Sequence, residues 1–353
     1  MGAPPAILES LIARSRTPAV QYLAVDASST RFEFHGGLAD LDRGTALEST
    51  TTMMAYSMSK TLTAAAVLRL VEMKRIALDD SIAEWAGPIP YDRAISVRQL
   101  LTHTSGIPNP IPLRWVHPAA EHARFDESAA LDRVLRAHAR LAFRPGTRFS
   151  YSNLGYWLLG RVVERASREP FSEFVAAQLL APLGLAASQL GYAISDPARH
   201  ATGYLERTSI LNLVRRFVID PRLIGRYHGR WLSLQSHYVD GPAFGGLVGT
   251  AKGFARFLQD QLATRSRILG DDMRALFFER QQLASGTPMP MTLGWHVGGT
   301  HGRAFFYKEG GGGGFHSMMR LYRDRGVGTV IMVNATGFDV GATLDRLDPE
   351  FLA

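Results

Sequence analysis

The stretch 55-AYSMSKTLTAAAVLRLVEMK-74 predicts one long helix that begins near Ser57. Its middle is apolar on every side, which is typical of a helix enclosed by protein. A lysine, Lys60, nevertheless lies in the first turn, where the partial positive charge of a helix favours acidic residues. The next charged residue is Arg69, so we expect the base of Lys60 to be buried.

Lysine is rare in the whole chain. Only four of the 39 basic residues are lysines, at positions 60, 74, 252 and 308, and the others are arginines. A desolvated ammonium group can lose its proton near neutral pH, whereas a guanidinium group stays protonated. Lys60 and Lys308 are therefore candidates for acid–base chemistry, while Lys74 and Lys252 lie in polar contexts at helix ends.

Ser57 and Lys60 are three residues apart, so their side chains can touch on one helix face. A serine hydroxyl becomes a good nucleophile when a neighbouring base takes its proton, and an amine with a lowered pKa can be that base. The backbone N–H of Ser57 can also donate to an oxyanion. The S-x-x-K spacing alone is common, and Ser57 as a simple N-cap is the alternative.

Two further segments carry related chemistry. In 143-FRPGTRFSYSNLGYWLLG-160, Asn153 is either an N-cap or an amide that contacts a lysine or substrate. Tyr151 is either a core aromatic or a phenol that relays a proton. In 307-YKEGGGGGFHSMMRLY-322, the glycines lead into a strand rather than a helix. This argues against a phosphate-binding loop and for close approach of a ligand, with Lys308 as a fixed cation.

Three residue pairs resemble, in order, the three motifs of the serine β-lactamase and penicillin-binding-protein superfamily: Ser57-x-x-Lys60, Tyr151-x-Asn153 and Lys308-x-Gly310. The Tyr-x-Asn form is similar to that of class C β-lactamases and family VIII carboxylesterases. Phrases between the motifs, such as LLTHTSGIP and GGLVGTAKGFARFL, extend the resemblance from about residue 18 to 335.

The resemblance implies a role for each motif residue. Ser57 would be the acylated nucleophile and Lys60 its base or proton partner. Tyr151 would be a second acid–base group that protonates the leaving group and activates water. Asn153 would position the substrate, and Lys308 would hold the tyrosine's proton in place electrostatically.

The implied oxyanion hole consists of the backbone N–H groups of Ser57 and Gly311. The implied fold is α+β, with a five-stranded antiparallel sheet flanked by helices, an inserted helical lobe, and the site in the groove between them. Strand-like runs near both ends of the chain agree with this fold. We therefore predict a sheet domain from residues 1–75 and 245–353 and a mainly helical domain from residues 76–244.

Glu309 departs from the family pattern. β-Lactamases and peptidoglycan enzymes have Thr or Ser there, whose hydroxyl helps to bind a substrate carboxylate, and a Glu repels that carboxylate. The alternative is that Glu309 turns away to pair with an arginine. His316 follows the glycines and is a second candidate for the groove. No G-x-S-x-G sequence frames a serine, so His103, His301 and His316 do not indicate an α/β-hydrolase triad.

Two segments are expected to shape specificity, because the family places loops over its groove at residues 107–125 and 204–238. The second segment mixes apolar side chains such as Leu213 and Phe217 with many arginines. It is an apolar lid over an acyl chain, a basic helix that contacts a membrane, or an ordinary packed segment with solvated arginines.

Composition excludes several classes of function. The chain has no cysteine, which rules out disulfides, thiol catalysis and zinc–thiolate sites. H-E-x-x-H is missing and the histidines show no ligand spacing, so we predict no metal and no cofactor. The net charge is +7, but the arginines are scattered, which argues against a nucleic-acid partner.

We predict a serine hydrolase that acts through an acyl-enzyme, and first a carboxylesterase on neutral esters. The alternatives with the same site are a β-lactamase, a D-amino-acid peptidase or amidase, and an acyltransferase. A non-catalytic binding protein on the same fold is a third class. The sequence shows no membrane-spanning run and no signal-peptide pattern, so we expect a cytoplasmic location unless a leader was removed.

Overall fold

The computed structural model describes residues 3–91, 95–110, 114–300 and 302–352. The described strands are, in chain order, β1 (Ala19–Val25), β2 (Thr30–Asp40), β3 (Thr45–Ala46), β4 (Met53–Met54), β5 (Val116–Pro118), β6 (Leu190–Gly191), β7 (Gly203–Glu206), β8 (Ile224–His228), β9 (Trp231–Leu234), β10 (His237–Val239), β11 (Val248–Gly249), β12 (His296–Thr300), β13 (Arg303–Gly312), β14 (Phe315–Tyr322) and β15 (Val327–Val333).

The described α-helices range from one turn to four turns in length. They are α1 (Pro4–Ala13), α2 (Ser59–Glu72), α3 (Ile82–Trp85), α4 (Val97–Leu101), α5 (Glu127–Ala137), α6 (Asn153–Ser167), α7 (Phe171–Val175), α8 (Ile210–Leu213), α9 (Arg215–Val218), α10 (Pro242–Gly245), α11 (Ala251–Leu262), α12 (Asp271–Phe278) and α13 (Val340–Leu347). Within the described residues, no helix has the length and apolar character needed to cross a membrane.

The main sheet is antiparallel and joins the two ends of the chain in the order β12-β13-β14-β15-β1-β2-β3. The predicted antiparallel sheet flanked by helices is thus confirmed, and it has seven strands rather than five. The two-residue strand β3 pairs with the end of β2 across a register shift. Such a short edge strand has no alternating pattern long enough to be recognised in the sequence.

Strand β1 is buried over its whole length, because helices cover both faces of the sheet. Successive side chains of a strand point to opposite faces. Val20 and Tyr22 belong to the cluster that includes α1 and α13, whereas Leu23 and Val25 belong to the cluster that includes α2 and α11. The second cluster also contains Leu158 of α6 and therefore extends through both proposed domains; the division into domains stays a prediction.

The helix predicted to begin at Ser57 begins two residues later. Residues Tyr56–Met58 form a 3-10 turn, and α2 follows from Ser59. Every side chain from Ser59 to Leu68 is buried, as the apolar pattern predicts. Ser57 is consequently presented on the turn in front of the helix rather than on the helix itself.

The region 76–244 contains more strand than its sequence predicts. Strands β7, β9 and β8 form a three-stranded sheet within residues 203–234, and β5 pairs with β10. A register shift interrupts the pairing of β8 with β9. Strands this short and irregular do not show the alternation of polar and apolar residues by which strands are recognised, so the segment 204–238 is not one amphipathic helix.

Helices α6 and α10 pack closely at Gly160, and both helices contribute atoms to the site described below. A Cβ atom at Gly160 would lie 2.8 Å from the Cβ of Ala243.

We expect Gly160→Leu to separate the helices and to lower the free energy of unfolding by about 1–3 kcal/mol, measured by urea denaturation. The matched control is Ala129→Leu on the exposed face of α5, which we expect to be nearly neutral; equal losses in both variants would contradict the close packing.

Candidate active site

Ser57 lies on a turn whose backbone is held on both sides. The Ser59 hydroxyl donates to the Tyr56 carbonyl oxygen at 2.6 Å and accepts the N–H of Leu247 at 2.9 Å. Tyr56 has a φ of 45°, in the left-handed region that side chains rarely adopt. Its hydroxyl donates to the Gly313 carbonyl oxygen at 2.7 Å. These contacts tie the turn to the end of β13 and determine where the Ser57 hydroxyl points.

Two other motif side chains contact the Ser57 hydroxyl. The Lys60 Nζ lies 3.0 Å from Ser57 Oγ, and the Tyr151 hydroxyl donates to the same oxygen at 2.8 Å. The pairing of Ser57 with Lys60 follows from their spacing of three. Tyr151 comes from the loop before α6, 94 residues away along the chain, so only the tertiary fold could bring it there.

Lys60 is fully buried and has two further partners. Its Nζ donates to the side-chain oxygen of Asn153 at 2.7 Å and to the carbonyl oxygen of Phe244 at 2.6 Å. Burial, and then the charge of Lys308, lower the pKa of Lys60 well below its usual value. A neutral amine fits these partners, since its two N–H groups face two acceptors and its lone pair faces Ser57.

The ring of Tyr151 is held between other rings and cations. It lies 4.3 Å from the His103 ring and 6.2 Å from the His296 ring, measured between centroids. Burial raises the pKa of Tyr151 above its usual value, and the nearby charge of Glu309 adds to this rise. The phenol is therefore neutral and is the donor in its hydrogen bond with Ser57.

Lys308 lies beside the same cluster, and its role as a fixed cation stays a prediction. Its Nζ lies 5.3 Å from the centre of the Tyr151 ring and 3.4 Å from Nε2 of His296. Burial lowers the pKa of Lys308 to about 7. Burial, followed by the charges of Lys308 and Lys60, also lowers the pKa of His296, so that this imidazole is neutral.

Asn153 faces Lys60 because a second asparagine orients its amide. Asn109 Oδ1 accepts both the backbone N–H and the side-chain Nδ2 of Asn153, at 2.9 and 3.2 Å. This leaves Asn153 Oδ1 free to accept from Lys60. The N-cap of α6 is Ser152, whose hydroxyl accepts the N–H of Gly155, so the alternative of Asn153 as an N-cap is wrong.

The glycine run allows β13 to approach the Ser57 turn. A Cβ atom on Gly310 would lie 2.0 Å from the Ala55 carbonyl oxygen and 3.0 Å from the Ser57 nitrogen. Strand β12 pairs with β13 only as far as Tyr307, so residues 308–312 form a strand edge that faces the turn. Ser57 and Gly311 line the same cavity, where the sequence predicts their N–H groups to bind an oxyanion.

Glu309 pairs with a histidine rather than with the arginine considered in the sequence. Its Oε1 accepts from Nε2 of His316 at 2.7 Å, and its side chain is 45% exposed. Glu309 lies before and His316 after the glycines, on neighbouring strands, which sequence spacing could not reveal. Neither residue is among the described residues that line the cavity at Ser57.

A mostly apolar cavity of about 100 Å³ opens at Ser57. Its polar lining includes Ser57, Asn153, His237 and the backbone of the glycine run. Its apolar wall comes from the two segments that are expected to shape specificity, from the end of β10 and from α10, with the side chains of Trp115, Val116, Leu211, Ile219, Leu223, Leu234, Val239 and Phe244. A cavity of this size is smaller than the ~150 Å³ that holds a benzene ring, so it suits a short apolar group.

Several contributors to the cluster were not identified as such from the sequence: Asn109, His296, His103 and the Phe244 carbonyl. His103 has a φ of 57°, accepts the Ser152 N–H through Nδ1 at 3.1 Å and contacts the Tyr151 ring in a tilted arrangement. It supports the tyrosine and does not form a triad with a serine. His103 lies within the phrase LLTHTSGIP shared with the family, and Asn109 follows it directly, which was the available signal. His301 and residues 111–113 lie outside the described residues.

Within the described ranges, no group of three or more His, Cys, Asp or Glu residues is arranged to hold a metal ion. The groups that meet at Ser57 are a hydroxyl, an amine and a phenol. These groups suit acyl transfer through a covalent intermediate.

The fold and the three motifs define the class of penicillin-binding-protein-like proteins. The family model described as Beta-lactamase matches residues 6–350. The chain therefore belongs to the Beta-lactamase family, a family of serine hydrolases, as the resemblance predicts.

Similar proteins differ in the activities that their names give. Esterase EstB of Burkholderia gladioli is 32% identical over 182 residues, covering 48% of this chain and 45% of that protein. Penicillin-binding protein 4* of Bacillus subtilis (strain 168) is 24% identical over 186 residues, covering 52% of this chain and 41% of that protein. This chain thus spans about half the length of the curated relatives it matches.

A solved structure similar over the whole chain is that of the D-amino acid amidase from Ochrobactrum anthropi SV3 complexed with L-phenylalanine amide. Its TM-score is 0.81 at 19% identity, and the match covers 98% of this chain and 97% of that chain. At this identity, the likeness establishes the fold alone.

The lowered pKa of Lys308 makes its contribution to stability depend on pH. Its folded-state pKa of about 7 lies below the unfolded value of ~10.4, so above pH 7 the unfolded chain binds the additional proton. Between about pH 7 and pH 9, the free energy of unfolding should therefore rise relative to Lys308→Met, by up to ~1.4 kcal/mol per pH unit. Urea denaturation across this range measures it, and a constant difference would contradict the buried amine.

Proposed function

We propose that the protein is a serine carboxylesterase that acts through an acyl-enzyme on neutral esters with a short apolar acyl group. The observation that carries the proposal is the Ser57 hydroxyl, which contacts an amine of lowered pKa and a neutral phenol at the mouth of an apolar cavity. The similarity to Esterase EstB supports the same activity.

In the first step, Ser57 Oγ attacks the ester carbonyl carbon and its proton passes to Lys60. The neutral amine is suited to accept it, because Asn153 and Phe244 occupy both of its N–H groups and leave the lone pair toward Ser57. The carbonyl oxygen becomes an oxyanion, which the N–H groups of Ser57 and Gly311 stabilise.

In the second step, the tetrahedral intermediate expels an alkoxide, and the Tyr151 phenol supplies a proton to it. The ammonium of Lys308 lies over the Tyr151 ring and favours the phenolate that forms. Lys60 then returns the serine's proton to the Tyr151 phenolate, so that overall one proton moves from the serine to the departing alcohol. Water next attacks the acyl carbonyl carbon and gives a proton to Lys60 or Tyr151, both of which contact Ser57 Oγ. The bond from the acyl carbon to Ser57 Oγ breaks, the same proton passes to Ser57 Oγ, and the carboxylic acid departs.

The choice of esters over β-lactams depends on charge and on the cavity wall. β-Lactams and D-Ala-D-Ala peptides present a carboxylate, and Glu309 places a like charge close enough to influence Tyr151. The cavity wall supplies apolar side chains to the acyl group. Amidase, peptidase and acyltransferase activities use the same first step, so the leaving group and acceptor distinguish them.

Intact-mass measurement after brief exposure to p-nitrophenyl butyrate, a cephalosporin or a D-Ala-D-Ala peptide tests the proposal. We expect a butyryl adduct that clears quickly, no such adduct with Ser57→Ala, and turnover reduced about 10²- to 10⁴-fold in Tyr151→Phe. Tyr91→Phe, remote from the site, is the control. A rapidly cleared lactam adduct without ester turnover would favour a β-lactamase, and ester labelling that persists in Ser57→Ala would refute the nucleophile.

Glu309→Thr tests the origin of selectivity. Removing the like charge and adding a hydroxyl should raise the rate of acylation by a cephalosporin by about tenfold or more relative to the rate with p-nitrophenyl butyrate. Stopped-flow or mass kinetics measures both rates. Glu84→Thr, which makes the same change on α3, should leave the ratio unchanged. An unaltered ratio in Glu309→Thr would show that this carboxylate does not exclude lactams.

A further inference from the structure

The helices α8 and α9 carry a concentration of exposed apolar side chains, which we call the 210–217 patch. Its apolar members are Ile210, Leu213, Val214 and Phe217, with exposed fractions of 80, 69, 38 and 62%. Six large apolar side chains are exposed in the part of the chain that the structure describes, and these are four of them. Single exposed apolar residues are ordinary, whereas such a concentration indicates an interaction surface.

The patch is also positively charged. Residues 207–219 contain Arg207, Arg215 and Arg216 and no acidic residue. The Arg216 guanidinium lies 4.9 Å from the centre of the Phe217 ring, and Arg215 donates to Asn212 at 2.8 and 2.9 Å. Among the described residues, none of these three arginines has an ion pair, whereas Arg222, Arg226 and Arg230 pair with carboxylates. Their charge therefore remains available.

The patch is continuous with the wall of the cavity at Ser57. Leu211 belongs to α8, between Ile210 and Leu213, and lines that cavity together with Ile219. Arg114 donates to the Phe217 carbonyl oxygen at 2.7 Å and so connects α9 to the other segment of the wall. A surface bound at the patch would consequently lie beside the apolar entrance to the site.

We propose that the 210–217 patch docks on an anionic phospholipid bilayer. Apolar side chains enter the boundary between headgroups and acyl chains, while Arg215 and Arg216 contact lipid phosphates. A second copy of the chain fits less well, because a symmetric contact would bring two copies of this positively charged patch together. The proposal of a binding surface does not depend on the proposed function. Only the purpose of that surface, the delivery of esters from the membrane to Ser57, rests on it.

Sedimentation with large vesicles tests the docking, with the full chain carrying Ser57→Ala so that no turnover is needed. The vesicles contain phosphatidylcholine alone or mixed with phosphatidylglycerol. We expect binding to the anionic vesicles and a loss of about tenfold or more in the partition coefficient when Ile210, Leu213 and Phe217 are changed to serine. Arg215→Gln with Arg216→Gln should remove the preference for the anionic lipid.

Two controls match these variants. Met73→Ser changes an exposed apolar residue elsewhere, and Arg136→Gln with Arg140→Gln removes the same charge from the end of α5; both should bind like the parent. Circular dichroism verifies the fold of every variant.

Absence of binding to anionic vesicles, or equal binding by the serine variant, would overturn the proposal. The proposal would also be overturned if analytical ultracentrifugation shows a dimer that dissociates in the serine variant and the protein does not bind vesicles. Hydrolysis of soluble p-nitrophenyl butyrate by the unmodified chain tests the proposed function separately.

Discussion

The site depends on the burial of one amine. Lys60 has no exposed surface, and its partners come from α6, α10 and the Ser57 turn. Burying an ammonium ion is costly, so the protein stabilises the neutral form. The charge of Lys308 also lowers the pKa of Lys60, and burial lowers the pKa of Lys308 itself. The packing that encloses α2 therefore also lowers the pKa of this amine.

The motif residues and the cavity wall contribute different groups to the site. The three motifs supply a hydroxyl, an amine and a phenol, which can serve esters, amides or lactams alike. The wall comes from segments outside the motifs, chiefly residues 204–238, and it supplies apolar side chains to the cavity at Ser57. The same segment bears exposed apolar and basic residues on its outer side, so one element forms both the cavity wall and the exposed patch.

The sequence predicted that strands from both ends of the chain form one sheet, and that Ser57, Lys60 and Tyr151 lie close together. Both predictions rest on patterns that are either local in the chain or shared with a family. Features with weaker local signals could not be predicted in the same way. Ser152 caps α6 in place of Asn153, since both residues suit an N-cap and the contact with Asn109 decides between them. The strands of residues 203–234 are too short to show a period. The partner of Glu309 comes from a neighbouring strand, which spacing does not reveal.

The sequence by itself determined the family and the buried helix, and it singled out the hydroxyl, the amine and the phenol of the three motifs, because helical spacing and motif order are properties of the chain. Only the tertiary structure decided the protonation of those groups and the shape of the cavity. A pKa depends on how much water reaches a side chain and on which charges lie near it in space. The orientation of Asn153 by Asn109 and the cavity wall of Leu211 and Ile219 likewise arise from contacts between segments that are distant along the chain.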